Sequence, residues 1–401
     1  MKKQSPKIIN TKLASIWRKE KLRNIAPLRG GFAFKSEKFQ NTGIPIVRIS
    51  NIKFDGTVGG EFECYSKIIS DEKFVLRGRS ILLAMSGATT GKIAMLDSEE
   101  EYYQNQRVGY FQNTGEVDYD FLSSVLQTKA FTNQLNAVLV AGAQPNISSK
   151  EIDSFGFYLP DSTEEQSAIG SLFRTLDDLL SNYKENLANY QSLKATMLSK
   201  MFPKAGQTVP EIRLDGFEGE WENKRADEIF KSVSEKNRAL LPVLSASQID
   251  GMVLRDEIGI DIKYDEATLN NYKLVKPGQF VIHLRSFQGG FALSKLEGIT
   301  SPAYTIIDFI DKVNNLPDFW NSILTSRDFI KRLETVTYGI RDGKSISFKD
   351  FSSLKFVFPE FKEQQAIGSY FSNLDNLINS HQEKISQLET LKKKLLQDMF
   401  I

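Results

Sequence analysis

A 38-residue segment occurs twice in this 401-residue chain, at Glu165–Phe202 and again at Glu363–Phe400. Aligned without gaps at an offset of 198, the two copies share 16 identical positions. Each copy follows a short strand-like run that ends in a proline, at Pro160 and at Pro359. The chain is therefore built from two tandem repeats, and each repeat ends in the same element.

Apolar side chains recur in both copies at intervals of three and four residues, which is the spacing of one helix face. In the first copy they are Ile169, Leu172, Leu176, Leu179, Tyr183, Leu187, Tyr190, Leu193, Met197 and Met201. Neither copy contains an internal proline, and a helix of this length spans roughly 57 Å. So long an apolar seam predicts a partner helix, and each copy is the nearest candidate for the other. With a pseudo-twofold axis between the repeats, the helices form an antiparallel coiled coil. The alternative is one core helix in each of two globular halves.

The composition is that of an ordinary globular protein. Hydrophobic residues make up 41% of the chain and charged residues 25%, and the length allows two or more domains with cores of their own. The single cysteine, Cys64, excludes an internal disulfide and any multi-cysteine metal site. Because no stretch has the pattern of a secretion signal or a membrane span, we expect a soluble, cytoplasmic protein.

The globular parts of the two repeats also correspond, although they have diverged further than the helices. Trp221–Ile229 echoes Trp17–Ile25, and Leu241–Gly251 stands where Ile44–Gly56 stood. The two repeats share the order of these segments, while the polar residues within the segments differ. This pattern is typical of a device that binds two different but geometrically equivalent targets at a set separation.

These correspondences predict an α+β fold with four segments. They are a first globular domain at residues 1–160, a long helix at 161–203, a second globular domain at 204–358 and a second long helix at 359–401. Within the first domain a helical segment is expected at Asp118–Asn136. The connection Pro203–Pro210 has the composition of a linker.

No catalytic motif emerges from the sequence. The run Gly87–Lys92 has three residues between its glycines where a phosphate-binding loop has four, and Ile93 follows the lysine in place of serine or threonine. The sequence contains no Pro-Pro dipeptide and no Phe-x-Gly-x-Gly loop, so two motifs of amino-methyltransferases are missing. Of the two histidines, His381 lies on the helix seam and His283 lies in a strand-like run. We predict neither an active site nor a metal site.

Polar side chains in the predicted loops are the candidate binding residues, because amide, guanidinium, ammonium and hydroxyl groups read base edges and contact phosphates. In the first repeat they are Arg48, Ser50, Asn51, Lys53, Ser86, Thr89, Thr90, Lys92, Asn105, Gln106, Arg107, Gln144 and Asn146. In the second they are Ser245, Ser247, Gln248, Arg285, Ser286, Gln288, Tyr304, Arg341 and Lys344. Their recurrence at equivalent places predicts DNA contacts in both repeats.

Two alternatives to DNA contact stay open at this point. Polar residues populate every loop, and Gln144 and Asn146 are also placed to cap the segment that follows them. The formal net charge of +1 further requires that any DNA-binding surface be local, or that a partner supply part of the contact.

With these elements in view, the chain resembles a specificity subunit of a type I restriction–modification system. The Glu-Gln-x-Ala-Ile-Gly start and the Met-Phe end of both helices carry the resemblance, together with the phrase VPEIRLDGFEGEW at Val209–Trp221. The first repeat has no clear copy of that phrase before Trp17. Essentially the full length is covered.

The resemblance implies two target recognition domains, each of which reads one half of a bipartite, asymmetric site in double-stranded DNA. It implies that the helices set the spacing and dock two modification (methyltransferase) subunits, which bring S-adenosylmethionine. Restriction (endonuclease/translocase) subunits would bring the ATP- and Mg-dependent activity, so that no cofactor and no catalysis belong to this chain. A recognition subunit of a related type II enzyme and a duplicated coiled-coil adaptor that binds only proteins are the alternatives.

Overall fold

The fold is taken from a computed structural model, which describes residues 15–141, 146–247, 250–258, 266–283, 290–336 and 348–400. The chain divides into two compact units. Unit 1 comprises Met1–Lys184 and Glu383–Ile401, and unit 2 comprises Glu185–Gln382. Because the division falls inside both long helices, each unit contains part of each helix.

Unit 1 is a mixed α and β domain. Its strands are β1 Trp17–Lys21, β2 Leu28–Gly30, β3 Ile44–Val47, β4 Cys64–Tyr65, β5 Val75–Leu76, β6 Ser80–Ala84, β7 Ile93–Leu96, β8 Tyr102–Gln104, β9 Val108–Phe111 and β10 Gly156–Pro160. Its helices are α1 Leu22–Ile25, α2 Tyr119–Val125, α3 Lys129–Ala141, α4 Ser149–Asp153 and the start of the long helix α5 Thr163–Lys200, with short 3₁₀ helices at Ser36–Lys38 and Ile49–Asn51. The strands form sheets of order β1-β10, β2-β9-β6-β7 and β4-β3-β8-β5.

Unit 2 repeats this frame. Its strands are β11 Glu222–Arg225, β12 Phe230–Val233, β13 Leu244–Ser247, β14 Gly251–Leu254, β15 Lys273–Val275, β16 Phe280–Ile282, β17 Phe291–Leu293, β18 Gly298–Thr300, β19 Thr305–Phe309 and β20 Lys355–Phe358. Its helices are α6 Ala226–Ile229, α7 Pro317–Leu324, α8 Arg327–Val336, α9 Phe348–Ser352 and the start of the long helix α10 Phe361–Asp398, with 3₁₀ helices at Arg255–Ile258 and Glu266–Asn271. The sheets β11-β20 and β12-β19-β16-β17 match β1-β10 and β2-β9-β6-β7 strand for strand.

The predicted fold class is confirmed, since the structure contains two duplicated α+β units and two long helices. Where a single helical segment was expected near Asp118–Asn136, the chain forms the separate helices α2 and α3. The buried Thr128 lies between them, and its hydroxyl donates a 2.7 Å hydrogen bond to the Val125 carbonyl. Among the described residues, no helix is both long enough and apolar enough to cross a membrane.

The two long helices pair in antiparallel fashion within each unit. In unit 1, Asp177 of α5 forms an ion pair with Lys392 of α10, and Lys184 pairs with Glu389 at 2.8 Å, so one helix advances as the other returns. In unit 2, Lys194 of α5 pairs with an aspartate of α10, Asp375. Because each residue of the Asp177–Lys392 pair lies 198 positions from its counterpart in the second pair, the duplication has placed the same ion pair in both units.

The helix seam uses partly different positions from the predicted apolar stripe. The buried residues that start the seam in α5 are Ile169, Phe173, Leu176 and Leu180. The predicted Leu172, Leu179 and Leu193 are exposed instead. At each of these three places the next residue, Phe173, Leu180 or Lys194, takes the inward position. Residues 172 and 173 are both large and apolar, and so are residues 179 and 180. The sequence therefore did not show which member of each pair lies on the buried face of the helix.

The buried Glu-Gln pair at the start of each long helix docks the first turn against its unit. In unit 1 the Glu165 carboxylate accepts 2.7 Å hydrogen bonds from the backbone N and the hydroxyl of Ser15, and a 3.1 Å bond from Trp17 Nε1. In unit 2 the Glu363 carboxylate accepts two bonds of 2.7 and 2.8 Å from the guanidinium of Arg213. These charge-assisted bonds explain why an acid stands there in both copies.

The glutamine that follows binds the strand before the helix. Gln166 Nε2 donates to the carbonyl of Pro160, and Gln364 Nε2 donates to that of Pro359, both at 2.9 Å. The shared glycine has a packing role, since a Cβ on Gly170 would lie 2.5 Å from the backbone nitrogen of Phe121 in α2. Alanine is favoured over glycine in helices by about 1 kcal/mol, so the glycine is explained by this close approach.

A phenylalanine two residues after the end of each long helix completes an aromatic core. In unit 1 the ring of Phe400 lies 5.6–6.2 Å from the rings of Trp17, Phe121 and Phe173. In unit 2 the ring of Phe202 lies 5.8–6.1 Å from the equivalent rings of Trp221, Phe319 and Phe371. Each repeat therefore ends in a phenylalanine that belongs to the core around the other repeat's tryptophan.

We predict that a fragment of residues 1–202 forms a stable homodimer. Phe202 and Lys194 of a second copy are equivalent to Phe400 and Lys392, which complete unit 1 in the full chain. Sedimentation at micromolar concentration is the measurement. A soluble monomer would contradict the prediction, because its aromatic core and apolar seam would be left exposed.

Charge reversal tests the same dimer. Lys194→Asp should weaken it about tenfold or more, since it leaves Asp177 facing a like charge at the seam. The double variant Asp177→Lys with Lys194→Asp should restore association, because both pairs re-form with opposite polarity. Equal affinity of the single and double variants would show that these ion pairs do not set the register.

Candidate nucleic-acid interface

Three loops of unit 1 carry 11 of the 13 polar residues predicted for the first repeat. We call them together the loop cluster and define it as residues 48–60 after β3, 85–92 between β6 and β7, and 104–108 at the β8–β9 turn. The loops are joined by hydrogen bonds. Thr89 Oγ1 donates to the Ile49 carbonyl at 3.2 Å, and the backbone N of Met85 donates to the Arg107 carbonyl at 2.9 Å. The cluster is therefore one connected surface.

Three cations of the loop cluster form no ion pair among the described residues. They are Lys53, Lys92 and Arg107, and each is at least partly exposed. Arg48, in contrast, lies 3.6 Å from the carboxylate of Glu63. Unpaired cations on one connected surface supply a local positive charge in a chain whose formal net charge is only +1.

Some predicted residues hold the loops together from inside. Asn51 is buried, its Nδ2 donates to the carbonyls of Gly59 and Glu61 at 3.3 and 2.8 Å, and its Oδ1 accepts from the Arg48 backbone at 3.0 Å. Ser86 is also buried. Neither side chain is presented to solvent, so we leave both out of the contact surface.

The remaining predicted side chains of the cluster are divided between local and outward roles. Thr90 Oγ1 donates to the Gly87 carbonyl at 2.6 Å, and Asn105 Oδ1 accepts from the backbone N of Arg107 at 3.2 Å. Ser50 and Gln106 are exposed. The exposed polar surface thus consists of the outward hydroxyl and amide groups beside the three cations.

The segment before α4 is attached to the same cluster. The backbone N of Ile147 donates to the Met85 carbonyl at 2.9 Å, and Asn146 next to it is exposed. The residue that caps α4 is Ser148, whose hydroxyl accepts from the backbone N of Glu151 at 3.2 Å. Asn146 is therefore not the N-cap that the sequence left open, while Gln144 lies outside the described residues.

In unit 2 two of the three described candidates lie on the β13–β14 hairpin. Ser245 Oγ accepts a 2.9 Å hydrogen bond from Arg255 Nε, and Ser247 Oγ bonds both the carboxylate and the backbone N of Asp250. These serines shape the hairpin that is equivalent to the first loop of the unit 1 cluster. The predicted residues that lie outside the described part of the chain are Gln248, Arg285, Ser286, Gln288, Arg341 and Lys344.

Tyr304, the third described candidate of unit 2, lies directly before β19. Its carbonyl accepts a 2.6 Å bond from Lys273 Nζ, and its ring centre lies 6.1 Å from that of His283. Burial lowers the pKa of His283, so its ring is held neutral at physiological pH. Burial together with the nearby Lys236 also lowers the pKa of Lys273.

Two exposed phenylalanines of unit 1 were missed by the search for polar side chains. Phe54 is 73% exposed at the tip of a turn in the loop cluster, and Phe32 is 41% exposed. Phe32 stacks on Phe74 at 4.7 Å, and its carbonyl accepts from the backbone N of Gln106. The sequence did contain a signal for Phe54, because an aromatic residue inside the polar run Lys53–Gly56 indicates an exposed ring in a turn.

No metal centre is visible in the described parts of the chain, where no group of three His, Cys, Asp or Glu side chains is placed to hold an ion.

Comparison with known proteins agrees with this duplicated architecture. A family model described as the type I restriction modification DNA specificity domain matches residues 15–190 and 218–390. The specificity subunit of the type I restriction enzyme MjaVIII from Methanocaldococcus jannaschii is 26% identical over 193 residues, which are 46% of this chain and 44% of that protein. The chain thus matches less than half of that relative's length. The crystal structure of a type I restriction–modification system S subunit from M. genitalium is similar over 99% of both chains, with a TM-score of 0.63 and 15% identity, which supports the fold. This chain belongs to the family of type I restriction–modification DNA specificity proteins.

Proposed function

We propose that this chain is the non-catalytic DNA-recognition subunit of a type I restriction–modification complex, and that each unit reads one half of a bipartite site in double-stranded DNA. The observation that carries the proposal is the loop cluster of unit 1, where Lys53, Lys92 and Arg107 form no ion pair among the described residues and stand beside exposed hydroxyl and amide groups. Cations position a protein on phosphates, and amides and hydroxyls read base edges.

The duplication supports the reading of two different half-sites. The sheets β2-β9-β6-β7 and β12-β19-β16-β17 have the same strand order, so the equivalent loops start from equivalent frames. The loops themselves differ in side chains. Lys53 and Phe54 of unit 1 correspond to Gln248 and Ile249 in the second repeat. The same frame with different reading residues suits an asymmetric site.

The long helices suit the role of a spacer, which we assign to residues 161–203 and 359–401. Both helices have 38 residues. Within each unit the duplicated ion pair, Asp177–Lys392 or Lys194–Asp375, holds the antiparallel register. A lysine at a seam position stabilises less than leucine does but selects one register. A defined register is what a fixed half-site separation requires.

The helices also carry exposed leucines that suit the docking of modification subunits. In unit 1 they are Leu179 and Leu391, which are 40% and 45% exposed, and in unit 2 they are Leu377 and Leu193, which are 40% and 37% exposed. The antiparallel register sets the two leucines of each unit at the same level of the helix pair. Because the duplication repeats the pair, we propose two modification subunits, one for each unit.

Catalysis would belong to the partners under this proposal. The sequence lacks a phosphate-binding loop and the Pro-Pro and Phe-x-Gly-x-Gly motifs of amino-methyltransferases. We therefore assign S-adenosylmethionine to the modification subunits and ATP with Mg to the restriction subunits. The chain would act in the cytoplasm, where the DNA is.

The DNA contact can be tested by removing cations of the loop cluster. In the complex with modification subunits, Arg107→Ala and Lys53→Ala should each weaken binding to all DNA sequences and lower the salt slope by about one, since each loses one phosphate contact. Fluorescence anisotropy at several salt concentrations is the measurement. Lys19→Ala, which removes an exposed cation of β1, is the control. Equal salt slopes for all three variants and the wild type would contradict the proposal.

The spacer role can be tested by lengthening both helices. Seven helical residues inserted after Leu187 and after Ile385 lie opposite each other, lengthen each helix by roughly 10 Å and retain both duplicated ion pairs. The gap between half-sites should therefore grow by about three base pairs, at about 3.4 Å each, with the half-sites unchanged. Methylome sequencing reads both quantities. An unchanged gap would exclude the spacer role, and the single insertion, which shifts the register, should abolish assembly.

The docking role can be tested through the exposed leucines. Leu179→Ser with Leu391→Ser should leave a complex with one modification subunit in place of two. Docking would bury the exposed 40% and 45% of these two side chains, so their loss should weaken docking about tenfold or more. Native mass spectrometry counts the subunits. Val313→Ser, at a 77% exposed apolar residue outside the helices, is the control. Two bound subunits in the double leucine variant would show that these residues are not the docking surface.

A further inference from the structure

We propose that Phe54 is a wedge that inserts between stacked base pairs of the DNA bound by unit 1 and unstacks them. The inference rests on the proposed function and adds to it a means of reading DNA deformability. Apolar wedges of this kind unstack one base step and bend the duplex, at an energy that depends on the sequence of that step. Phe54 would therefore contribute specificity without a hydrogen bond to any base.

The turn that carries Phe54 is braced on both sides. The backbone N of Lys53 donates to the Thr57 carbonyl at 3.0 Å, and the backbone N of Gly56 donates to the Lys53 carbonyl at 3.3 Å. The Gly56 carbonyl accepts a 3.0 Å bond from the backbone N of Met95 in β7, which ties the tip to the sheet. A braced tip presents its side chain at a small entropic cost on binding.

The surroundings of Phe54 favour an anionic, stacked partner. The ring is 73% exposed, and the ammonium of Lys92 lies 4.9 Å from its centroid. Lys53 precedes it in the chain, and neither lysine has an ion pair among the described residues. The Lys53 ammonium donates to the Ser50 carbonyl at 3.2 Å, so the cation at the ring itself is Lys92. An exposed apolar ring with a cation over its face matches the chemistry of DNA, where stacked bases lie beside phosphates.

The one acid in the turn is directed into the loop. Asp55 Oδ1 accepts from the backbone N and the hydroxyl of Thr57 at 3.0 and 2.7 Å. Hydrogen bonding from Thr57 lowers the pKa of Asp55, and Lys184 of α5 acts in the same direction. The negative charge is thus held by hydrogen bonds within the turn.

The second repeat has an apolar residue at the same place. Ile249-Asp250-Gly251 aligns with Phe54-Asp55-Gly56, and both glycines take a positive φ, +84° at Gly56 and +74° at Gly251. Ile249 itself lies outside the described residues. The sequence alone shows a large apolar side chain before Asp-Gly in both repeats. We therefore expect a wedge residue in both repeats, with a larger side chain in the first.

The competing explanation is that Phe54 only covers the Lys92 ammonium as a cation–π pair on the surface. The two explanations differ in what the ring does when DNA is present. A wedge changes the stacking of a base step, whereas a surface pair leaves the duplex unchanged and affects DNA only through Lys92.

The experiment uses the full chain assembled with its modification subunits and a duplex in which 2-aminopurine is moved step by step through the site. Wild-type complex should raise the fluorescence at one step, because 2-aminopurine brightens when it is unstacked. Phe54→Ala should remove that rise and weaken binding about tenfold, which equals about 1.4 kcal/mol, with an unchanged salt slope. Phe54→Trp, which keeps a large ring, should retain both signals.

A matched control is Ile69→Ala, which removes a 94% exposed apolar side chain elsewhere in unit 1 and should change neither quantity. Wild-type fluorescence and affinity in Phe54→Ala would overturn the wedge and leave the proposed function standing. The wedge is also overturned if Lys92→Ala weakens binding while Phe54→Ala does not. If the wild-type complex binds no DNA, the proposed function itself fails. Equal melting temperatures of wild type and Phe54→Ala, expected for an exposed residue, exclude misfolding as the cause.

Discussion

Each of the two globular units is completed by the reciprocal pairing of the long helices. In each unit one helix supplies its buried start and the other supplies a terminal phenylalanine, Phe400 in unit 1 or Phe202 in unit 2. Neither aromatic core is complete within its own repeat. The ion pair at Asp177 and Lys392, repeated at Asp375 and Lys194, adds a register to this pairing because these partly buried charges meet opposite charges in only one alignment of the helices.

The start of each helix shows how a duplicated frame keeps an element while its partners change. Glu165 holds Ser15 and the indole N–H of Trp17, whereas Glu363 holds the guanidinium of Arg213. The equivalent indole N–H, that of Trp221, is buried and has no hydrogen-bond partner within the described part of the chain. A buried carboxylate needs donors, but different donors satisfy it equally well, so the acid persisted while the chain around it diverged.

The contrast between duplicated elements and differing side chains also bears on the proposed function. The parts that must stay equal for two half-sites to be read at a set distance are the sheets, the helix starts and the helix seam, and these are duplicated. The parts that must differ are the loop side chains, and there the repeats differ, as at Lys53 and Gln248. Phe54 and Ile249 combine both features. An apolar side chain before the Asp-Gly pair is shared by the two repeats, but the size of that side chain differs.

The sequence sufficed to predict the duplication, the two long helices and the α+β class, because repeated residues and a sustained 3–4 spacing are local properties of the chain. It did not determine the phase of the seam, since Leu172 and Phe173 are both apolar and only the pairing of α5 with α10 decides which one turns inward. It also did not determine side-chain direction in the loops. Asn51 has the chemistry of a base-reading residue but faces inward to backbone carbonyls, and Phe54 has the chemistry of a core residue but faces outward. These positions depend on tertiary contacts, because burial is set by neighbours that lie far away along the chain.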